Sequence, residues 1–400
     1  MDLSCSLIVM VKTNQLLSRR SVGKRVSIAS LCTLLFLCAT KSFAQTNPSS
    51  IVIKPVFGAH ALIDQGHLLH DRLYGVDLAF QKNMEQNIPD WARIARAKSY
   101  GLELVVRNFD NFRGVGDTIS GALGTAVGLL AQVELQVLKI GRTHFVFTPA
   151  AGASYSTKTF FTHSQNRFIG SHINEMLKAD VGAQINLTPN IKLLAGAAYV
   201  HLSNGGYLVP NGGLNTVNAY LGVKFRPGSQ QTTTESTNTT ADDKPGKPFQ
   251  TLRRNSFEFM AGFGQRGVFE QKRAKYRSAF FAGYNFYIND LITIKSGLDA
   301  IYYYTTYDPA NNGETFQNYG TSYDRWRTGL SLSSDFNFWR VTINTQIGKY
   351  IHYNRFFKNA TWYWGFGPTI YVTPHIGIQA RTYMHFAQAD FVNYGLVVKL

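Results

Sequence analysis

Long stretches of the chain alternate between apolar and polar residues with a period of two. In YGVDLAF (74–80), Tyr74, Val76, Leu78 and Phe80 share one face, and Gly75, Asp77 and Ala79 the other. In LKADVGAQINL (177–187), Leu177, Ala179, Val181, Ala183, Ile185 and Leu187 oppose Lys178, Asp180, Gly182, Gln184 and Asn186. In 214–225, Val217, Ala219, Leu221, Val223 and Phe225 oppose Thr216, Asn218, Tyr220 and Lys224. Successive side chains of a strand point to opposite faces, so this period predicts antiparallel strands. Eight are predicted before Pro227, at roughly 51–60, 72–82, 98–108, 122–138, 143–155, 174–187, 191–204 and 214–225. A polar, Thr-rich stretch without period (226–252) reads as a linker. About eight more strands follow from Phe257 to Leu400.

A secreted β-sandwich would alternate in the same way. The strands here are long, however, and Lys, Asp and Gln collect on one face while the other stays apolar. Aromatic residues reach 14% of the chain, with clusters at YYY (302–304) and WYW (362–364) that suit an interfacial girdle. The reading is therefore all-β: an antiparallel transmembrane β-barrel with its apolar face to lipid and its polar face inside. The two halves also resemble each other, because LTPNIKLLAGAAYVHLSN (187–204) aligns without gaps on VTPHIGIQARTYMHFAQA (372–389). Tandem eight-stranded units could close as two small barrels or as one of about sixteen strands; the long linker favours two.

The N-terminus decides how the basic charge is read. RRSVGKR (19–25), the apolar run 26–40 and the small-residue site ending at Ala44 form a secretory signal peptide, residues 1–44. Leu37 before Cys38 argues against a lipoprotein. Cleavage removes six basic residues and one acidic, lowering the formal charge from +16 to +11. It also removes Cys5, Cys32 and Cys38, which are all the cysteines, so no disulfide or thiolate metal site is expected. An exported basic barrel points to an anionic lipid or polysaccharide surface rather than nucleic acid.

The stretch YVHLSNGGYLVPNGGLN (199–215) ends one strand and starts the next. Both termini of a bacterial barrel face the periplasm, so the outer end of strand seven lies outside the cell. Parity places His201 and Ser203 with Leu193 and Tyr199 on the lipid face, and Asn215 beside them on strand eight. An unpaired imidazole facing lipid is costly. Ser and His at i and i+2 project from one face about 7 Å apart along the strand. The His can take the Ser proton, a third group can hold the other ring nitrogen, and the glycine-rich turn can offer N–H groups to an oxyanion.

At these residues the chain resembles the outer-membrane lipid A 3-O-deacylases of the PagL type, also known as acyloxyacyl hydrolases. The resemblance covers about 51–225 and rests on HLSN (His201, Ser203, Asn204) and PNGG (Pro210, Asn211). NRFIGSHIN (166–174) is similar to the versions found in Bacteroidetes-type genomes. The resemblance implies Ser203 as nucleophile, His201 as general base, and Asn211 with Asn204 and Gly205 as the oxyanion hole. It implies a serine esterase that needs no cofactor and cleaves the 3-O acyl ester of lipid A in lipopolysaccharide. The family carries a Glu fourteen residues after the His, where this chain has Asn215. No Asp or Glu occurs from 181 to 234. An amide oxygen can still accept the His N–H, but it does not stabilise an imidazolium as a carboxylate does.

In the ungapped second copy Phe386 and Gln388 replace His201 and Ser203, so residues 253–400 read as a degenerate unit without the site. His385 should point inward. GFGQRG (262–267) matches a dinucleotide fingerprint but lacks a strand–turn–helix context. His60, His67 and His70 lie in an expected loop, and no metal site is assigned to them. The competing reading is a non-catalytic barrel, an adhesin or small pore, that keeps the motif as ancestry.

Overall fold

The computed structural model describes residues 49–62, 68–85, 88–112, 121–227, 254–307, 316–317, 323–353 and 360–400. The expected signal peptide, nearly all of the linker, and the side chains of His60, His67 and His70 lie outside what is described.

The first eight strands are β1 (Ser49–Leu62), β2 (Leu68–Asn83), β3 (Ala97–Asn108), β4 (Thr125–Ile140), β5 (Thr143–Ser156), β6 (Ile173–Asn186), β7 (Ile191–Ser203) and β8 (Leu214–Phe225). Each pairs antiparallel with the next, and β1 pairs with β8, closing a barrel. A second barrel closes from β9 (Ser256–Gly267), β10 (Ala274–Tyr287), β11 (Ile292–Tyr303), β14 (Trp326–Phe338), β15 (Val341–His352), β16 (Trp362–Tyr371), β17 (Ile376–His385) and β18 (Gln388–Lys399). The pair β12 (Thr306–Tyr307) and β13 (Phe316–Gln317) forms a small separate hairpin. Two barrels are thus present rather than one of sixteen strands. The strand expected from residue 122 starts at Thr125, because Gly121 and Gly124 turn the chain at φ 74° and 71°.

The two faces divide as the period-two pattern requires. Leu221, 65% exposed, and Val181, Leu193 and Val217 cover the outside. The lumen of the first barrel is filled instead by charge. Lys178 Nζ lies within 2.8–2.9 Å of Asp77, Glu103 and Asp180. Lys54 bridges Glu103 and Asp180, and Arg107 binds Asp77. Three carboxylates meet three cations, so the cluster is neutral, and an eight-stranded barrel has room for little else. This inside-out distribution is that of a membrane-spanning barrel.

The aromatic clusters obey the same pleat. Tyr304, Trp362 and Trp364 face outward, but Tyr303 and Tyr363 are buried in the lumen. There the Tyr303 hydroxyl donates to Asp390 and that of Tyr363 to Asp299. Only alternate members of YYY and WYW can therefore belong to a girdle. GFGQRG lies along β9 and opens no helix.

One end of the first barrel carries both its termini and the turns after β2, β4 and β6; the last two are short, and the turn after β2 holds α1 (Asp90–Ile94). The other end carries the longer loops after β3 and β5 and the ten-residue loop 204–213 after β7. That asymmetry marks the second end as the outer one. Beneath these loops an apolar plug of Phe109, Phe112, Leu123, Ile169, Leu202 and Leu214 closes the lumen.

Candidate active site

His201, Ser203 and Asn215 meet at this outer end. Even-numbered Val200 and Leu202 point into the apolar plug, which turns Tyr199, His201 and Ser203 to the lipid face. Asn215 is the register partner of His201 across the β7–β8 ladder. His201 Nδ1 lies 2.6 Å from Asn215 Oδ1. An amide oxygen can only accept, so Nδ1 carries the proton and Nε2 is left bare. The Tyr199 hydroxyl donates to the same Oδ1 at 2.7 Å. Tyr199 was missed in the sequence, although its shared parity with His201 and Ser203 could have exposed it.

Ser203 Oγ accepts from Asn211 Nδ2 at 2.8 Å and from the Gly205 N–H at 3.2 Å. Among the described residues no hydrogen bond joins Ser203 to His201; the hydroxyl is turned toward the loop. Asn204 plays a different part. Its Nδ2 donates to Ser171 Oγ and to the Leu208 carbonyl, and its Oδ1 accepts from the Gly206 N–H. Its side chain is thus spent on shaping the loop, while its backbone N–H points to Asn211 Oδ1 at 3.4 Å. Gly205 and Gly206 adopt φ 64° and 86°, where a side chain would be strained.

The NRFIGSHIN stretch braces the loop from behind. The carbonyls of Arg167 and Phe168 accept from the N–H groups of Gly212 and Gly213. Gly213 in turn packs beside the imidazole: a Cβ there would lie 3.3 Å from His201 Cε1. An acid does stand near the serine, outside the 181–234 window. Glu175 on β6 is the direct register partner of Ser203. A scan along the chain misses it, because the ladder joins residues 28 positions apart.

Family models match both barrels. Residues 75–224 match the model of lipid A 3-O-deacylase (PagL), and residues 255–400 match that of the acyloxyacyl hydrolase C-terminal domain. The chain belongs to the PagL-type lipid A 3-O-deacylase family. Membership places it among acyl ester hydrolases of the outer membrane that act on lipid A. The second barrel corresponds to the C-terminal domain described for acyloxyacyl hydrolases. No curated protein matches the chain. Among solved structures, Neisserial surface protein A is 9% identical, covering 44% of this chain and 96% of its own, with a TM-score of 0.31. Ail of Yersinia pestis is 15% identical, covering 46% and 99%, with a TM-score of 0.25. The FrpB iron transporter of Neisseria meningitidis is 10% identical, covering 89% and 61%, with a TM-score of 0.24. At those scores they add nothing to the strand ladders.

The second barrel of this PagL-type chain departs from the ungapped alignment at the site. β17 ends at His385 and β18 begins at Gln388, so a two-residue turn replaces the ten-residue loop. Phe386 is 75% exposed in that turn, and Gln388 belongs to the following strand rather than to the equivalent of β7. His385 is buried in the lumen against Tyr350 and Arg327.

Proposed function

We propose that this chain hydrolyses the 3-O-linked acyl ester of lipid A through Ser203, His201 and Asn215. The observation that carries the reading is the contact of Asn215 Oδ1 with His201 Nδ1, two positions from a serine that faces the bilayer at its outer rim. Lipid A in the outer leaflet would present its ester at that height. Rotation of Ser203 away from Asn211 brings Oγ toward Nε2. His201 then takes the hydroxyl proton as Oγ attacks the ester carbonyl. The negative charge on the tetrahedral oxygen is met by the Gly205 N–H and Asn211 Nδ2, the donors freed by that rotation. Collapse expels the sugar 3-oxygen, which receives the proton from His201. Water, activated by the same imidazole, hydrolyses the acyl-serine and releases the fatty acid.

Asn215 orients the ring and fixes its tautomer but does not neutralise the imidazolium. When an amide replaces the acid of a triad, it can turn its NH₂ toward the ring and impose the wrong tautomer. Tyr199 opposes that turn here by holding Oδ1 in place. Mass spectrometry of lipid A from cells with and without the protein tests the reading. Loss of one hydroxyacyl chain supports it; identical spectra overturn it and favour a barrel without catalysis.

A further inference from the structure

The second barrel touches the first at the loop that carries the proposed oxyanion donors. The Gly267 N–H, at the end of β9, donates to the Gly206 carbonyl at 2.8 Å, and the Glu270 N–H donates to the Val209 carbonyl at 3.0 Å. Residues 268–273, between β9 and β10, therefore extend the loop's backbone bonding on one side. Gly205, whose N–H faces Ser203 Oγ, lies with its Cα against Val392 of β18; a Cβ on Gly205 would come within 2.1 Å of Val392 Cγ2. Arg266 ties this wall together, donating from Nη1 to the carbonyls of Ala389 and Asp390 beside Gly206.

The brace on the far side is held as well. Arg167, whose carbonyl accepts from Gly212, forms an ion pair with Glu270 and lies over the Phe269 ring at 5.7 Å. Lys272 lies over the Phe161 ring at 5.8 Å. The β9–β10 turn thus sits between the two loops that shape the site.

We infer that the second barrel is the positioning element of the deacylase site, holding Gly205 and Asn211 at Ser203 through backbone bonds from Gly267 and Glu270 and the Val392 wall. The inference rests on the proposed role of Ser203. A glycine-rich loop in open water would sample many conformations, and each would displace an oxyanion donor. Pinning Gly206 and Val209 from outside removes that freedom before substrate arrives. It also explains why the second unit needs no residues of its own at the chemistry: its contribution is a rigid edge.

The test uses the full chain in detergent micelles with purified lipid A. In Gly267→Ala a new Cβ meets Leu208 Cα and Val209 N at 2.8 Å, so the loop must move. Displacement of that size should lower kcat by roughly ten- to a hundredfold with KM nearly unchanged, since it moves oxyanion donors that act on the transition state. Val392→Ala, which unbacks Gly205, should act in the same direction. Arg167→Glu and Glu270→Arg should each lower kcat, and the double reversal should restore it; a merely structural surface pair would leave kcat unmoved. Ile378→Ala, on the lipid face of β17 away from the loop, should change nothing. Heat-modifiable migration reports that both barrels are folded, and if Gly267→Ala fails there, the charge-reversal pair decides. Wild-type kcat in all of these folded variants, with Ser203→Ala inactive, overturns the inference while leaving the site intact. Activity retained in Ser203→Ala removes the site and the inference together.

Discussion

His201 and Asn215 face each other directly across the β7–β8 ladder, with Nδ1 and Oδ1 2.6 Å apart. The fourteen-residue spacing in the sequence is thus the length of a hairpin loop plus the strand ends that close it. The pair makes a neutral amide the orienting group of a proposed esterase, and it sets the first expectations.

Asn215→Leu should leave the barrel folded and cut deacylation strongly, by as much as about 10⁴-fold if the imidazole loses its tautomer. Asn215→Glu should hold or raise the rate at neutral pH, because a carboxylate also stabilises the imidazolium. A carboxylate on the lipid face costs less near the interface than at the midplane, so the fold should tolerate it. Turnover of purified variants measures both. Equal rates for Leu and Asn at 215 would exclude this residue from the mechanism.

Tyr199→Phe separates the pinning of the amide from its presence. With Asn215 in place, loss of the hydroxyl bond should lower kcat by roughly ten- to a thousandfold, short of the full wrong-tautomer penalty of about 10⁴. In an Asn215→Glu background the same change should cost little, because the two oxygens of a carboxylate are equivalent. An equal loss in both backgrounds would mean that Tyr199 acts through substrate packing instead.

Ser203→Ala should abolish deacylation, by roughly 10⁴-fold or more, while heat-modifiable migration is preserved. Asn211→Ala should cost about 10²–10³-fold in kcat, as for other single oxyanion donors. If Asn211→Ala is neutral, the oxyanion is met by backbone groups alone.

Lys178→Met tests the lumen. It removes a cation that holds Asp77, Glu103 and Asp180 together. Breaking a buried ion pair from one side costs roughly 3–5 kcal/mol, because the partner charges stay buried. Urea unfolding in lipid vesicles should show that loss, with activity of the folded fraction unchanged. A midpoint equal to wild type would show that Lys54 and Arg107 suffice to hold the three carboxylates.

Grafting the motif onto the second barrel should fail. Phe386→His with Gln388→Ser, in a Ser203→Ala background, should yield no turnover. Phe386 lies in the two-residue turn and Gln388 opens β18, so the two share no strand face. Any deacylation by that variant would show that the site does not depend on the β7 geometry.

Much of this molecule was legible along the chain. The pleat of a strand is a local property, so a period of two is enough to sort Lys178 and Asp180 from Leu177 and Val181. The same parity set His201, Ser203 and Asn215 on one face at the outer end. It was less reliable where a turn intervened, since Gln388 was aligned with Ser203 although β17 had already ended. Composition misled in a related way at YYY and WYW, where the central tyrosines turn inward to buried carboxylates.

What the sequence by itself determined, then, is which residues each strand presents to lipid and which to the lumen, because that depends on a residue and its immediate neighbours. The tertiary structure decided how strands distant in the chain meet. Closing β1 on β8 makes two barrels of eight rather than one of sixteen. The β6–β7 register sets Glu175 beside Ser203, and the end of β9 reaches Gly206 from another barrel. None of these pairings has a local signature. Each depends on ladders whose register is set by the packing of whole faces, and a one-residue slip would turn every side chain to the opposite side.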